Sequence, residues 1–372
     1  MATRKETGER KAILAQAIRR EYRSGTLAPG EMLPPVRALA TRYGLSKRIV
    51  NDELQKLAEE GWLRTIPRVG IFVREDLNAS RRFLDHAVVV LTAAERPHPD
   101  HRQSGWLDHV PSGALREIHQ RGLHSVVLHP ERLCGEVIER LAVEQPYGVV
   151  IPEMDVAVMK EYGELLRAQG VRVVMNSNDP QLELFDRVSS DQAQGAYELT
   201  IWLLDRGLRH IRLLWMGDCD TSYWSRERRI GYERALREAG IKPFEDIVAR
   251  EMQGPNGLVA ALKPHLTQGD VLEAILAPSD GFVSDVAGAC RVLGVHPNKD
   301  VLICGYDNYW QDLASLGHDA PRPVATVDKL NEDAGAEAVR LLLDGSGETT
   351  TQNRETAPVN RVIPPRLVVV PQ

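Results

Sequence analysis

The amino-acid sequence predicts an α/β fold in two modules: a helical head closed by a β-wing, then a two-lobed body built on parallel sheet. The first observation is periodicity. Over residues 8–60 apolar side chains recur at helical spacing, and 62–75 (WLRTIPRVGIFVRE) reads as a two-stranded hairpin with Pro67-Arg68-Val69-Gly70 near its tip. The second is alternation: from residue 87 short Val/Ile/Leu runs alternate with helical segments, as buried parallel strands and crossover helices do. The third is charge. Residues 1–82 hold 17 Lys+Arg against 10 Asp+Glu, a net of +7, while the remainder holds 29 against 42 within an overall −6. A basic head on an acidic body points to a polyanion as the partner of the head alone.

In the head, residues 8–24 place Ile13, Ala17 and Ile18 on one helical face, and LAPGEMLPP (27–35) breaks the pattern with Pro-Gly and Pro-Pro. A short second helix over 35–43 turns Val36, Leu39 and Ala40 inward. The third helix follows Tyr43-Gly44-Leu45 and runs to about Glu60, with Val50, Leu54 and Leu57 as its inner seam, Ser46 as N-cap and Gly61 past its end. Lys47 and Arg48 then fall in its first turn. Cations there oppose the helix dipole and cost ~0.3–1 kcal/mol each, unless an anion arrives to cancel them. Two helices joined by so short a turn match helix-turn-helix spacing, in which the second helix enters the major groove by its N-terminal end. The exposed face of that helix carries Lys47, Arg48, Asn51 and Asp52.

The segments LPPVRALA, LSKRIVNDELQKLAEEG and GIFV together resemble the GntR-type winged helix-turn-helix domain over residues ~8–75. The resemblance implies a double-stranded DNA operator as partner, with Arg37 on phosphate, Lys47 in the slot of the usual base-reading arginine, and Ser46, Arg48, Asn51 and Arg68 as further contacts. Three departures imply a different operator. Ile49 replaces the usual Thr, Asn51 replaces a frequent Arg, and Pro67-Arg68 stands at the wing tip where glycine is common.

A charged connector over 76–86 separates this head, 1–75, from the body, 87–372. Candidate strands in the body are 87–92, 125–129, 148–152, 171–175, 210–216, 271–277 and 301–304, with helices at 131–143, 156–169, 191–206, 226–239, 281–293 and 331–344. So many βα units suit two lobes better than one sheet. Asp191 starts a helix, Arg228 precedes Gly231-Tyr232 by three residues, and Ser279-Asp280 and Gly305/Asp307 follow strand ends. Loops beyond strand C-termini are where open α/β sheets bind ligands.

In that order these motifs resemble the LacI/GalR-type, periplasmic-binding-protein-like sugar-sensing domain, over about residues 86–372, with a tail (PVATVDKLNEDAGAEAVRLLL, RVIPPRLVVV) that fits. The combination is an arabinose-repressor-like architecture. It implies lobe 1 over about 87–190 and 327–345, and lobe 2 over about 191–326 and 346–372. By the resemblance Arg228 and Asp307 hold the ligand. A guanidinium donates to vicinal hydroxyls in a fork and a carboxylate accepts from two of them, which suits a polyol. Asn176 and Ser279 rank second, and Trp224, Trp310 and Trp106 are candidates for stacking on a sugar face. Asp280 is expected to brace its loop. The competing reading of Arg228 and Asp307 is an internal ion pair between the lobes, and of each tryptophan, ordinary packing.

Other classes find little support. Four scattered cysteines without CxxC spacing offer neither a zinc site nor a disulfide framework, so no metal or cofactor is expected. No run of ~18 apolar residues suggests a membrane span, and the N-terminus lacks an apolar signal core; a cytoplasmic protein is expected. GxSxG, HExxH and GxxxxGK[ST] are absent, and no lysine lies in a convincing pyridoxal context, so no catalytic residue is assigned. The sequence therefore reads as a homodimeric, ligand-responsive DNA-binding regulator. The alternatives are a DNA-binding regulator whose body senses nothing, or no sugar, and an enzyme fusion.

Overall fold

The computed structural model describes residues 14–15, 17–19, 21, 27–59, 61–67, 69–74, 84, 87–92, 109–217, 221–250, 255–267, 272–313, 321–344 and 357–371. The chain divides into two compact units, with the boundary between Phe83 and Leu84.

In the N-terminal unit, helix α1 (Val36–Tyr43) leads into α2 (Lys47–Glu59). The turn between them is set by Gly44, at φ 60°, with the amide of Leu45 donating to the Ala40 carbonyl at 3.0 Å. This left-handed cap reverses the chain within three residues. Ser46 then caps α2: its Oγ accepts from the Ile49 amide at 3.3 Å. Gly61, at φ +85°, ends α2 in the same way, with Trp62 N–H on the Leu57 carbonyl at 2.8 Å. Val50, Leu54 and Leu57 are buried, each worth roughly 1.5–3 kcal/mol of transfer energy, as are Leu14, Ile18, Leu39 and Leu63 of the same unit. The wing pairs β1 (Leu63–Ile66) with β2 (Gly70–Val73), Leu63 opposite Val73, and Met32 bridges to Phe72.

The second unit holds two parallel sheets. In the first lobe the strands are β3 (Ala87–Leu91), β4 (His124–Leu128), β5 (Gly148–Ile151), β6 (Val173–Asn176) and β7 (Asp186–Ser190). Its helices are α3 (His109–Gln120), α4 (Gly135–Glu144) and α5 (Val156–Ala168). The second lobe begins with α6 (Gln192–Leu204), β8 (Ile211–Met216), α7 (Tyr223–Glu238), β9 (Ile247–Ala249) and α8 (Pro255–Thr267). It continues through β10 (Ala274–Leu276), α9 (Val283–Val292), β11 (Leu302–Cys304) and α10 (Trp310–Leu313) to β12 (Ala325–Asp328). The chain then returns through α11 (Asn331–Asp344), β13 (Asn360–Ile363) and β14 (Arg366–Val369).

Sheet order in the first lobe is β13-β7-β6-β5-β3-β4, and in the second β11-β10-β8-β9, with β12 and β14 as an antiparallel pair. Central strands such as Ala87–Leu91 and Gly148–Ile151 are buried throughout. Their Val/Ile runs are the mark of a sheet covered on both faces: α4 and α5 pack on one side, α3 and α11 on the other. The described chain passes between lobes at three places: β7 to α6, β12 to α11, and β13 to β14.

The lobe boundaries read from the sequence need correction. Residues 360–363 pair with β7 in the first lobe, although 346–372 was assigned to the second. Conversely β12 packs in the second lobe's core, although 327–328 was assigned to the first. The reason is that β13 and β14 are consecutive strands on opposite sides of the crossing. Strand β7 (DRVSS) and helices α3 and α8 also lie outside the segments expected from periodicity.

At the contact of α3 with α11 the backbones approach so closely that a Cβ on Gly335 would fall onto the Val110 carbonyl oxygen, and one on Gly113 onto that of Glu332. Replacing Gly335→Ala is expected to lower stability by ~1–3 kcal/mol, the usual cost of overpacking. The midpoint of urea unfolding of the full chain checks this.

Candidate functional site

On the head, Arg37, Ser46, Lys47, Arg48 and Asn51 are all exposed. Lys47 and Arg48 make no ion pair among the described residues, so their unfavourable position at the α2 N-terminus has no internal counter-charge there. Arg68 falls outside the described residues, as does Trp106.

In the body, Arg228 lies on α7 and Asp307 beyond the end of β11. They meet: Arg228 Nη2 is 3.5 Å from Asp307 Oδ1, and the two residues are only 4% and 5% exposed. The guanidinium is fully engaged. Its Nε donates to Gln192 Oε1 at 2.8 Å and Nη1 to the Pro278 carbonyl at 2.6 Å. Its carbon sits 3.5 Å from the Tyr306 ring centroid and 4.6 Å from that of Trp224. Asp307 also lies 3.1 Å from Lys329 Nζ, and Lys329, 3% exposed, reaches Glu153 Oε2 at 3.4 Å. The result is a buried chain of alternating charge, Arg228–Asp307–Lys329–Glu153. It runs from α7 of the second lobe, across the β12–α11 crossing, to the loop after β5 of the first. Oδ1 of Asp307 lies within ion-pair distance of two cations, yet no hydrogen bond is directed at it. Asp307 adopts φ 85°, the left-handed region that costs a non-glycine residue, and its amide donates to the Val327 carbonyl at 2.8 Å.

Beside this chain lies a small pocket, a cavity of about 10 Å³, lined by Glu153, Asn176, Ser177, Asn178, Ser189, Ser190, Gln192, Lys329 and Asn331. These residues come from the C-terminal ends of β5, β6 and β7 and from two of the three lobe crossings. The lining is polar throughout. Asn176 donates to the Val188 carbonyl at 3.0 Å, while Ser189 Oγ, Ser190 Oγ and Asn331 Nδ2 are buried without a hydrogen-bond partner. Buried polar groups are normally satisfied, so these atoms mark a place for a guest or for water.

The other expected contacts fare differently. Ser279 is buried against Tyr309, with 3.0 Å between the two oxygens, and is not among the residues lining the pocket. Trp224 packs edge-on against Trp215, ring centroids 5.7 Å apart. Trp310 carries the Arg322 guanidinium 5.4 Å from its ring. Neither tryptophan lines the pocket. Asp280 braces the loop: Oδ1 accepts from Thr326 Oγ1 at 2.8 Å, and Oδ2 from the amides of Tyr309 at 2.9 Å and Trp310 at 3.1 Å. Burial, reinforced by the Asp307 carboxylate, pushes the Asp280 carboxyl up to about 8 against those hydrogen bonds. Glu153, Ser177, Asn178, Ser189, Ser190, Gln192, Lys329 and Asn331 were not singled out from the sequence. Strand-end position was the only signal, and it does not rank side chains.

Fold and site define a two-module protein: a winged helix-turn-helix and, in the same chain, a two-lobed α/β domain with a polar pocket at its lobe crossings. Comparison with known proteins makes the modules specific. Residues 11–73 match the model of the gntR family of bacterial regulatory proteins, and residues 202–369 match the periplasmic binding protein-like domain. Among curated relatives, the HTH-type transcriptional regulator DegA of Bacillus subtilis (strain 168) is 28% identical over 207 residues, 55% of this chain and 57% of DegA. The HTH-type regulator CelR of Thermobifida fusca is 28% identical over 183 residues, 49% of this chain and 50% of CelR. The chain thus spans about half the length of the curated relatives it matches. Among solved structures, a CelR–cellobiose complex superimposes with a TM-score of 0.59 at 23% identity, covering 91% of this chain and 99% of that one. A LacI-family regulatory protein from Chloroflexus aggregans gives 0.60 at 19%, covering 76% and 97%. These likenesses establish the fold.

Because Asp280 titrates higher in the folded than in the unfolded chain, its contribution to stability is present below its ordinary value of 3.8 and is lost as pH rises through about 8. The wild type is therefore expected to lose more melting temperature between pH 6 and pH 9 than Asp280→Asn, as followed by thermal unfolding.

Proposed function

We propose that this chain is a ligand-responsive transcription regulator, a repressor, that binds a double-stranded DNA operator through the head and a sugar or related polyol through the body. The conjunction carries the reading: one chain joins a gntR-type winged helix, whose second helix starts with exposed cations that make no ion pair among the described residues, to a two-lobed binding fold with polar atoms at its crossings that are unsatisfied among the described residues. The relatives matched are named as transcriptional regulators, which favours regulation over catalysis. A two-fold operator needs two heads, so the working form is a homodimer, and the DNA it reads places it in the cytoplasm. Ligand occupancy at the crossings biases the angle between lobes and so the geometry of the paired heads, a coupling of typically ~1–3 kcal/mol.

Two measurements test this. Lys47→Ala is expected to weaken operator binding by ~1–3 kcal/mol and relax specificity, whereas Arg37→Ala weakens binding to all sequences and lowers the salt slope by about 1. Fluorescence polarisation over a salt series reads both, and wild-type binding by both variants would remove α2 as the reader. For the body, a sugar library beginning with cellobiose, the ligand of the solved CelR complex, is screened by thermal shift. Asp307→Asn should abolish the shift of any hit and leave operator affinity intact. Operator affinity unmoved by a saturating hit would sink the coupling.

A further inference from the structure

We infer that the molecule held at the lobe crossings is an uncharged polyhydroxy compound, and that Lys329 and Glu153 act as the pair that excludes its acidic and phosphorylated counterparts. This rests on the reading of the pocket as a ligand site and adds the charge class of the ligand.

The argument is a charge balance. Among the described residues lining the pocket only Glu153 and Lys329 are charged, one of each sign. Behind them Arg228 and Asp307 are likewise matched. Lys329 Nζ, the cation nearest the cavity, already lies between two carboxylates, 3.1 Å from Asp307 and 3.4 Å from Glu153. Helix N-termini are the other usual source of anion affinity, and two of them, α6 and α11, begin at pocket residues. Each is already answered by the chain's own carboxylates. Asp191 caps α6, its Oδ1 accepting from the Gln194 amide at 2.8 Å, and Glu332 and Asp333 occupy the first turn of α11. An anionic guest would therefore bring a buried charge with no free partner, which is strongly unfavourable.

The unsatisfied atoms point the same way. Ser189 and Ser190 each offer a hydroxyl able to donate and accept, and Asn331 Nδ2 offers a donor. A carboxylate or phosphate brings only acceptors. A set of hydroxyls brings both.

The test uses the full chain in thermal-shift titrations. In the first arm, acetate, sulfate and inorganic phosphate are added to the wild type, Glu153→Gln and Lys329→Met. Stabilisation that survives Lys329→Met comes from elsewhere, including the basic head, and is subtracted. The wild type is expected to show no Lys329-dependent stabilisation by these anions, while Glu153→Gln, which leaves the site with one excess positive charge, gains a saturable one. Glu153 is a quarter exposed at its side chain, so this variant keeps the fold. In the second arm, neutral sugars are compared with their acids and phosphates: cellobiose with cellobionate, glucose with glucuronate and glucose 6-phosphate, ribose with ribose 5-phosphate. The neutral member of any binding set should bind at least about tenfold more tightly in the wild type, with the gap narrowing in Glu153→Gln. Lys329-dependent anion binding by the wild type, or an acid or phosphate that binds as tightly as its parent, overturns the inference and leaves the sensor reading intact. If Glu153→Gln gains anion binding but no sugar in any form shifts the wild type, the charge balance at Lys329 and Glu153 stands, while the sugar-sensing reading and the polyhydroxy identity of the ligand both fall.

Discussion

The body of this protein depends on one constraint: three buried ionic groups, Arg228, Asp307 and Lys329, and a partly exposed fourth, Glu153, must neutralise one another. Arg228, Asp307, Lys329 and Glu153 do so in sequence, and each link crosses from one structural element to another. Removing one partner of a buried pair strands the other and typically costs ~3–5 kcal/mol, so the chain of charges ties α7, the loop after β11, the β12–α11 crossing and the loop after β5 to a single arrangement. The left-handed backbone at Asp307 fits this view, being a strained conformation held by its amide bond to Val327.

Arg228 and Asp307 form an internal ion pair, as the conservative reading had it, and the polar pocket lies beside the pair and is not lined by it. Arg228 is held on every side, by Gln192, the Pro278 carbonyl, Asp307 and the faces of Tyr306 and Trp224. Its orientation is therefore fixed by the protein's own groups.

Much of this was legible in the sequence, for identifiable reasons. The head was readable because its signals are local: Gly44 and Gly61 end helices through left-handed caps, Ser46 starts one, and Val50, Leu54 and Leu57 recur on one face. The central strands were readable because burial on both faces leaves unbroken Val/Ile runs. Strand β7 was not, because its residues are Asp-Arg-Val-Ser-Ser, and the two serines belong to the cavity rather than to a hydrophobic face. Helix α3 was obscured by Pro111 and Gly113, the latter present because α11 lies against it. The cavity itself was mostly invisible. Lys329 and Asn331 are three and five residues beyond Thr326 with no spacing rule to mark them, and Glu153 reaches Lys329 across 176 positions of chain. Such contacts are a product of topology, which local pattern does not encode.

The threading of the lobes carries a cost in assembly. The first lobe draws α11 and β13 from a stretch more than 140 positions beyond β7, so its sheet keeps an open edge beside β7 until residues 360–363 have left the ribosome. By then the second lobe has its four-stranded sheet in full. The half of the body made first thus waits for the late segment, and the β12–β14 pair of the second lobe waits for the residues just after it. During that interval a row of unpaired backbone groups on β7 lies open to mispairing.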